Sequence, residues 1–207
     1  MKYTPLYSFG KTISFFLNFL MPHQDHDCEN LPEQGRVVVC CNHVSMKDPV
    51  ILALAHKRQL FYMAKAELFE NKLFAKMITS LGAFPVQRGT GDSEALETAK
   101  KLLEEEKVLG IFIEGTREKE GKLLKPKSGA VILAYENNAP ILPMCITAKD
   151  GKAPRLFHRT IVSCGKLIYP EELGIAEGSA MEYRRASRLV MSRISELRER
   201  DIKEFEK

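Results

Sequence analysis

Residues 36–57 read RVVVCCNHVSMKDPVILALAHK, and the fold is read outward from them. The run Arg36–Cys41 is apolar and rich in β-branched residues, which predicts a strand. Asp48-Pro49 predicts a helix start, with Asp48 as the N-cap and Pro49 in the first helical position. A helix over Pro49–Lys57 follows. The same alternation continues down the chain. Strands are predicted over Gln59–Ala64, Ala83–Val86, Val108–Ile113, Ile141–Thr147 and Thr160–Ile168. Helices are predicted over Ala66–Ser80, Ser93–Lys107, Gly129–Asn137 and, at the end, Met181–Glu204. Strands alternating with helices imply an α/β fold with a single, largely parallel or mixed sheet flanked by helices.

With 207 residues, 44% of them hydrophobic and 28% charged, the chain is long enough for one domain with its own core. That composition excludes collagen, coiled coil and a disordered chain. The net charge of +4 suits phosphate-bearing partners or an anionic surface, and is too small to argue for a nucleic-acid partner. The five cysteines (Cys28, Cys40, Cys41, Cys145 and Cys164) are odd in number and include no C-x-x-C, so they read as reduced thiols. No Cys/His group has the local spacing of a zinc motif, and no metal is expected.

In sheets of this class, chemistry collects in the loops leaving the carboxyl ends of the strands. After the first predicted strand come Asn42, His43 and Asp48. Lys65 follows the second strand, Gln87-Arg88 the third, and Glu114-Gly115-Thr116-Arg117 the fourth. With five histidines and six aspartates in the chain, the His43–Asp48 spacing arises by chance about 0.14 times. Spacing alone therefore also fits a capping aspartate beside an unrelated histidine. If the two side chains touch, Asp48 orients the imidazole and His43 becomes a general base suited to neutral pH. Arg88 and Arg117 offer planar forks of donors that fit phosphate oxygens. Lys122, Lys125 and Lys127 add positive potential nearby, and Gly115 permits a tight turn.

Taken in order, these blocks resemble the bacterial 1-acylglycerol-3-phosphate (lysophosphatidic acid) acyltransferase family. Asn42-His43 through Asp48-Pro49 is similar to its first motif, Gly82 through Arg88 to its second, and Phe112 through Arg117 to its third. Ala139-Pro140-Ile141-Leu142-Pro143-Met144 is similar to its fourth. In the fourth block, Met144 and Cys145 stand where small β-branched residues are common, a departure that bears on the acyl pocket. The resemblance implies a glycerolipid acyltransferase-like fold and transfer of a fatty acyl group from a thioester to the sn-2 hydroxyl of a lysophospholipid. It implies His43 and Asp48 as the catalytic pair and Arg88, Arg117 and Lys65 as acceptor-phosphate ligands. Asn42, Glu114, Gly115 and Thr116 are supporting residues, Glu114 fixing an arginine or the glycerol. The resemblance implies no bound cofactor. The co-substrate is acyl-CoA or acyl-acyl-carrier-protein, and the carrier protein is then a possible partner.

The N-terminal segment is expected to be separate, with a membrane-associating helix over 1–22 and the acyltransferase domain over 23–207. Thr4-Pro5 marks a helix start, and Leu6, Ile13, Phe16, Leu17 and Leu20 recur at helical spacing. Phe9, Phe15 and Phe19 widen that stripe. As a helix, the uncharged run from Thr12 to Pro22 spans about 16 Å, half of a hydrocarbon core of about 30 Å. The expectation is a helix lying in the interface, which places the protein at the cytoplasmic face of the membrane as a peripheral or monotopic protein. Three rival readings also fit single features. They are a hydrolase using Ser45 or Cys41 beside His43, a non-catalytic module binding anionic lipid, and an acyltransferase for another acceptor, such as glycerol-3-phosphate or an amino-acid lysolipid.

Overall fold

The computed structural model describes residues 17–87, 92–118, 120–149 and 151–207. Seven strands form one sheet: β1 (His23–His26), β2 (Val37–Cys41), β3 (Leu60–Lys65), β4 (Ala83–Val86), β5 (Val108–Phe112), β6 (Ile141–Ala148) and β7 (Thr160–Cys164). Their spatial order is β1-β7-β6-β2-β5-β3-β4. Every pairing is parallel except β6 with β7. The α-helices that lie wholly within the described residues are α1 (Asp48–Ala55), α2 (Lys72–Ser80), α3 (Ser93–Glu104), α4 (Gly129–Glu136) and α5 (Ala180–Phe205).

β2 lies at the centre and is buried on both faces, which explains its unbroken apolar run. Val38 and Cys40 pack into a core covered by α3, α4 and α5. Val37, Val39 and Cys41 face the other way, into a core closed by α1 and by residues around Leu31. From β2 the chain moves toward β3 on one side, and from the adjacent β5 it moves to β6 on the other. The carboxyl ends of β2 and β5 therefore flank a topological switch point, where a crevice is expected.

The predicted alternation holds, with four departures. β1 has the polar sequence His-Gln-Asp-His and no apolar alternation. It is a strand only because β7 offers it a parallel edge, with His23 opposite Thr160. The strand predicted to Ile168 stops at Cys164, and Ile168 makes only an isolated bridge to Ile141. The helix predicted over Ala66–Ser80 is split into a 3₁₀ turn at Ala66–Phe69 and α2. The break is local chemistry: the Asn71 side chain accepts from the Leu73 and Phe74 N–H groups at 3.1 and 3.0 Å and starts a new helix. Finally, α1 begins at Asp48 itself, with Lys47 as its N-cap, so Asp48 is the first helical residue and not the cap.

At the far end of the chain, α5 starts from a capping box formed by Ser179 and Glu182. Residues 17–20 are helical and Met21 N–H donates to Leu17 O at 2.8 Å. The remainder of the helix expected over 1–22 lies outside the described residues. Among the described residues, no helix is long and apolar enough to cross a membrane.

Candidate active site

The loop after β2 is held at both ends. The Asn42 side chain continues the sheet beyond the last paired residues. Its amide donates to Ile146 O at 3.0 Å, and its carbonyl accepts from Ile146 N–H at 2.8 Å. A side chain thus reproduces the two-way hydrogen bonding of a strand and fixes the height at which the next residue, His43, leaves the sheet. On the far side of the loop, Glu118 N–H donates to His43 O at 2.8 Å.

His43 Nδ1–H donates to Asp48 Oδ2 at 2.8 Å. The same oxygen accepts the Val44 and Ser45 N–H groups, each at 2.8 Å. With Asp48 ionised, three donors on one oxygen hold the carboxylate in place, and the proton on Nδ1 leaves Nε2 as the basic nitrogen. Asp48 is 0% exposed and His43 7%. Asp48 Oδ1 is buried without a hydrogen-bond partner. Oδ2 thus takes both the backbone donors and the imidazole. A bare buried oxygen of this kind costs about 1–3 kcal/mol.

The imidazole plane is set by Phe112, stacked on His43 at 3.9 Å between ring centroids and 13° between planes. Phe112 in turn lies nearly parallel to Tyr62, at 6.0 Å and 11°. Gly110 makes room for this file of rings. A Cβ there would meet Tyr62 Cε1 at 2.4 Å.

The loop after β5 brings the other predicted residues to the same edge. Gly115 adopts φ +71°, the left-handed turn that glycine permits, and the Lys127 side chain passes over it. Thr116 and Arg117 are exposed beyond the turn. Glu114 points inward. It is 2% exposed, and neither carboxylate oxygen has a hydrogen-bond partner. Burial raises its pKa to about 7. That value is a balance: the nearby Leu124 and His43 N–H dipoles oppose the rise, and the negative charges of Glu118 and Asp48 add to it. Sealed in this way, Glu114 sits under the His43 loop and grips no arginine among the described residues. Lys65, at the end of β3, is exposed and paired to Glu67 Oε1 at 2.6 Å. A surface pair of that kind is worth about 0–1 kcal/mol and is readily exchanged for a ligand. Arg88 lies outside the described residues; Val86, two positions earlier, stands opposite Lys65 in the sheet.

The hydrolase reading loses support here. Cys41 is buried, and burial, reinforced by Cys145, Asp48 and Glu114, pushes its thiol well above the ordinary value. Ser45 Oγ accepts from Lys47 N–H at 3.2 Å and makes no bond to the His43 ring.

A family model described as Acyltransferase matches residues 23–147, well over half of the chain. The chain belongs to the acyltransferase family. A 1-acyl-sn-glycerol-3-phosphate acyltransferase of Bacillus subtilis is 39% identical over 116 residues, covering 56% of this chain and 57% of that protein. A protein of the same name from Streptococcus pneumoniae is 30% identical over 125 residues, covering 59% of this chain and 46% of its own length. The chain thus spans about half the length of the curated relatives it matches. The crystal structure of the 1-acyl-sn-glycerophosphate (LPA) acyltransferase PlsC of Thermotoga maritima superposes with a TM-score of 0.69 at 24% identity, over 93% of this chain and 78% of that one. That likeness establishes the acyltransferase fold.

Sequence reasoning missed two parts of this candidate site. The ring file of Tyr62, Phe112 and His43 is assembled by sheet order, since β3 and β5 are adjacent only in space. The burial of Glu114 was also hidden, although its position directly after the apolar pair Phe112-Ile113 was a signal that it begins inside.

Proposed function

We propose that this acyltransferase moves a fatty acyl group from an acyl thioester to the sn-2 hydroxyl of 1-acyl-glycerol-3-phosphate, giving phosphatidic acid. The observation that carries the reading is the 2.8 Å His43 Nδ1–Asp48 Oδ2 bond, which fixes a basic Nε2 at the sheet edge where Arg117 stands exposed. The names of the relatives point to the same acceptor.

A thioester is already activated, so no enzyme nucleophile is needed. The acceptor hydroxyl attacks the thioester carbonyl while His43 Nε2 takes its proton, and the buried Asp48 carboxylate stabilises the imidazolium. The tetrahedral intermediate collapses with cleavage of the C–S bond. The proton on Nε2 passes to the departing thiolate, so an ester and a free thiol leave and the enzyme returns to its starting state. Arg117 and Arg88, with Lys65, hold the acceptor phosphate by charge-assisted hydrogen bonds. Coenzyme A and acyl carrier protein are the donor classes.

The acceptor resides in a bilayer, so the site must reach one. Phe19, 67% exposed, packs edge-on against Phe157, 60% exposed, and the Phe157 N–H donates to Leu20 O. Met46, in the catalytic loop, is also exposed, as are Leu73 and Met77 on α2. These apolar groups, together with the N-terminal segment 1–22, favour peripheral contact at the cytoplasmic face of the membrane.

The test is to offer the purified protein a panel of lysolipids, glycerol-3-phosphate and both donor classes, and to identify products by mass spectrometry. Phosphatidic acid formed from 1-acyl-glycerol-3-phosphate, and abolished in His43→Ala, supports the reading. Preferred acylation of another acceptor, or hydrolysis of the donor alone, overturns it.

A further inference from the structure

Cys28, His56 and Cys164 are far apart in sequence and belong to no local motif. Cys28 opens the 3₁₀ turn after β1, His56 directly follows α1, and Cys164 ends β7. In space they converge. Cys28 Sγ and Cys164 Sγ are 3.3 Å apart, and Cys164 Sγ is 3.9 Å from His56 Nε2. All three ligand atoms lie within 4.8 Å of one another. His56 and Cys164 are buried and Cys28 is half-buried. All five cysteines of the chain are free.

The spacing is that of metal ligands. With Zn–S near 2.3 Å and Zn–N near 2.0–2.1 Å, a tetrahedral ion sets its ligands about 3.8 Å apart for S···S and about 3.6 Å for S···N. The two edges at Cys164, 3.3 and 3.9 Å, lie within about half an ångström of those distances, and the third edge lies within 4.8 Å, so a modest closure of Cys28 toward His56 completes the set. Two thiols and one imidazole form a soft donor set, which selects zinc and other thiophilic ions over magnesium or calcium. We propose that Cys28, His56 and Cys164 form a binding site for a thiophilic transition-metal ion, Zn²⁺, with solvent at the fourth position on the open side of Cys28.

Charge balances on binding. The two thiols release two protons to solvent, and the two thiolates neutralise the dication beside a neutral imidazole. The unit that enters this largely buried place therefore carries no net charge, which avoids the cost of burying an unpaired ion. The site has a mechanical consequence. α1 carries Asp48 at its first position and delivers His56 just past its last. Metal at His56 would pin the far end of that helix to the end of β7 and to the segment after β1, one short helix away from the catalytic pair.

The full chain, reduced with a non-thiol phosphine and stripped with a chelator, is titrated with Zn²⁺ against a chromophoric competitor and, separately, with Co²⁺. We expect one tight equivalent and, for cobalt, thiolate-to-metal charge-transfer absorption with tetrahedral visible bands. With free zinc at about 100 times Kd, the melting temperature rises by roughly 5–10 °C. Cys28→Ser should weaken binding by more than the roughly 10–100-fold that loss of a ligand's hydrogen-bonding neighbour costs. Cys145→Ser should leave binding unchanged. Cys28 is half-buried, so its variant keeps the test open if Cys164→Ser does not fold. Absence of a stoichiometric tight site in the wild-type chain overturns the proposal, as does binding that Cys28→Ser leaves intact. None of these readouts involves acyl transfer, so they stand apart from the catalytic reading.

Discussion

Asp201 and Asp48 are both fully buried carboxylates, and the fold treats them differently. Asp201, on α5, accepts Ser163 Oγ–H on Oδ1 at 2.6 Å and Thr147 Oγ1–H on Oδ2 at 2.9 Å, with Arg200 Nε 3.7 Å away. Both oxygens are engaged, and they tie α5 to β6 and β7. Asp48 crowds three donors onto one oxygen and leaves the other bare. Two arginines repeat the contrast. Arg58 is buried and donates to Pro32 O, Gly35 O and Glu106 O at 2.7–2.9 Å, whereas Arg117, in the loop after β5, is exposed. A charge that holds the chain together is surrounded by partners. Asp48, by contrast, is held through one oxygen, and Arg117 reaches solvent.

The sharpest way to break that contrast is at the catalytic pair. His43→Ala should lower turnover by about 10²–10⁴-fold, with the melting temperature nearly unchanged, as read by initial rates and by calorimetry. A large loss of stability with modest loss of rate would put His43 with Asp201 among the structural groups. Asp201→Ala should do the opposite. Removing the acceptor strands the buried Ser163 and Thr147 hydroxyls, at about 1–3 kcal/mol each, while the exposed Arg200 keeps its pair with Asp27. In a chain of this length that lowers the melting temperature by roughly 6–20 °C, while kcat per folded molecule stays close to wild type.

Next in size is Arg117→Ala, which should raise the acceptor KM roughly 10- to 100-fold, the worth of a charge-assisted hydrogen bond. The donor KM should hardly move. Arg117→Lys should recover only part, because it lacks the planar fork. A matching rise in donor KM would remove Arg117 from the phosphate site.

The smallest effect concerns Glu114. Its carboxyl is raised from 4.5 to about 7 by burial, so the folded state binds its proton more tightly than the unfolded state does. The stability it contributes is complete below pH 4.5 and is lost as pH rises through about 7. Glu114→Gln should flatten that stretch of the stability–pH curve, measured by urea denaturation at a series of pH values. An unchanged slope would show that the carboxyl titrates normally.

The order of strands and helices was legible because β2, β5 and β6 are buried on both faces and must read as apolar runs. β1 was not legible, since His-Gln-Asp-His carries no pattern and forms a strand only against β7. At the site, the Gly115 turn was readable locally, whereas the His43–Asp48 spacing allowed two readings and the 2.8 Å contact decides between them. The stacking of Phe112 on His43 and the Asn42 bridge to Ile146 depend on which strands lie side by side, and no local spacing encodes that. The same holds for Cys28, His56 and Cys164, which only the folded sheet brings together.

Gly110 has a consequence for anyone seeking a sturdier enzyme. Replacing a strand glycine is ordinarily a safe route to stability, gaining about 0.5–1 kcal/mol. Here a single added methyl would strike the Tyr62 ring, and Tyr62 backs Phe112, which backs the His43 imidazole. A substitution chosen by strand propensity alone would therefore disturb the rings that set the His43 imidazole. In any library built on this scaffold, Gly110 belongs among the positions held constant with His43 and Asp48.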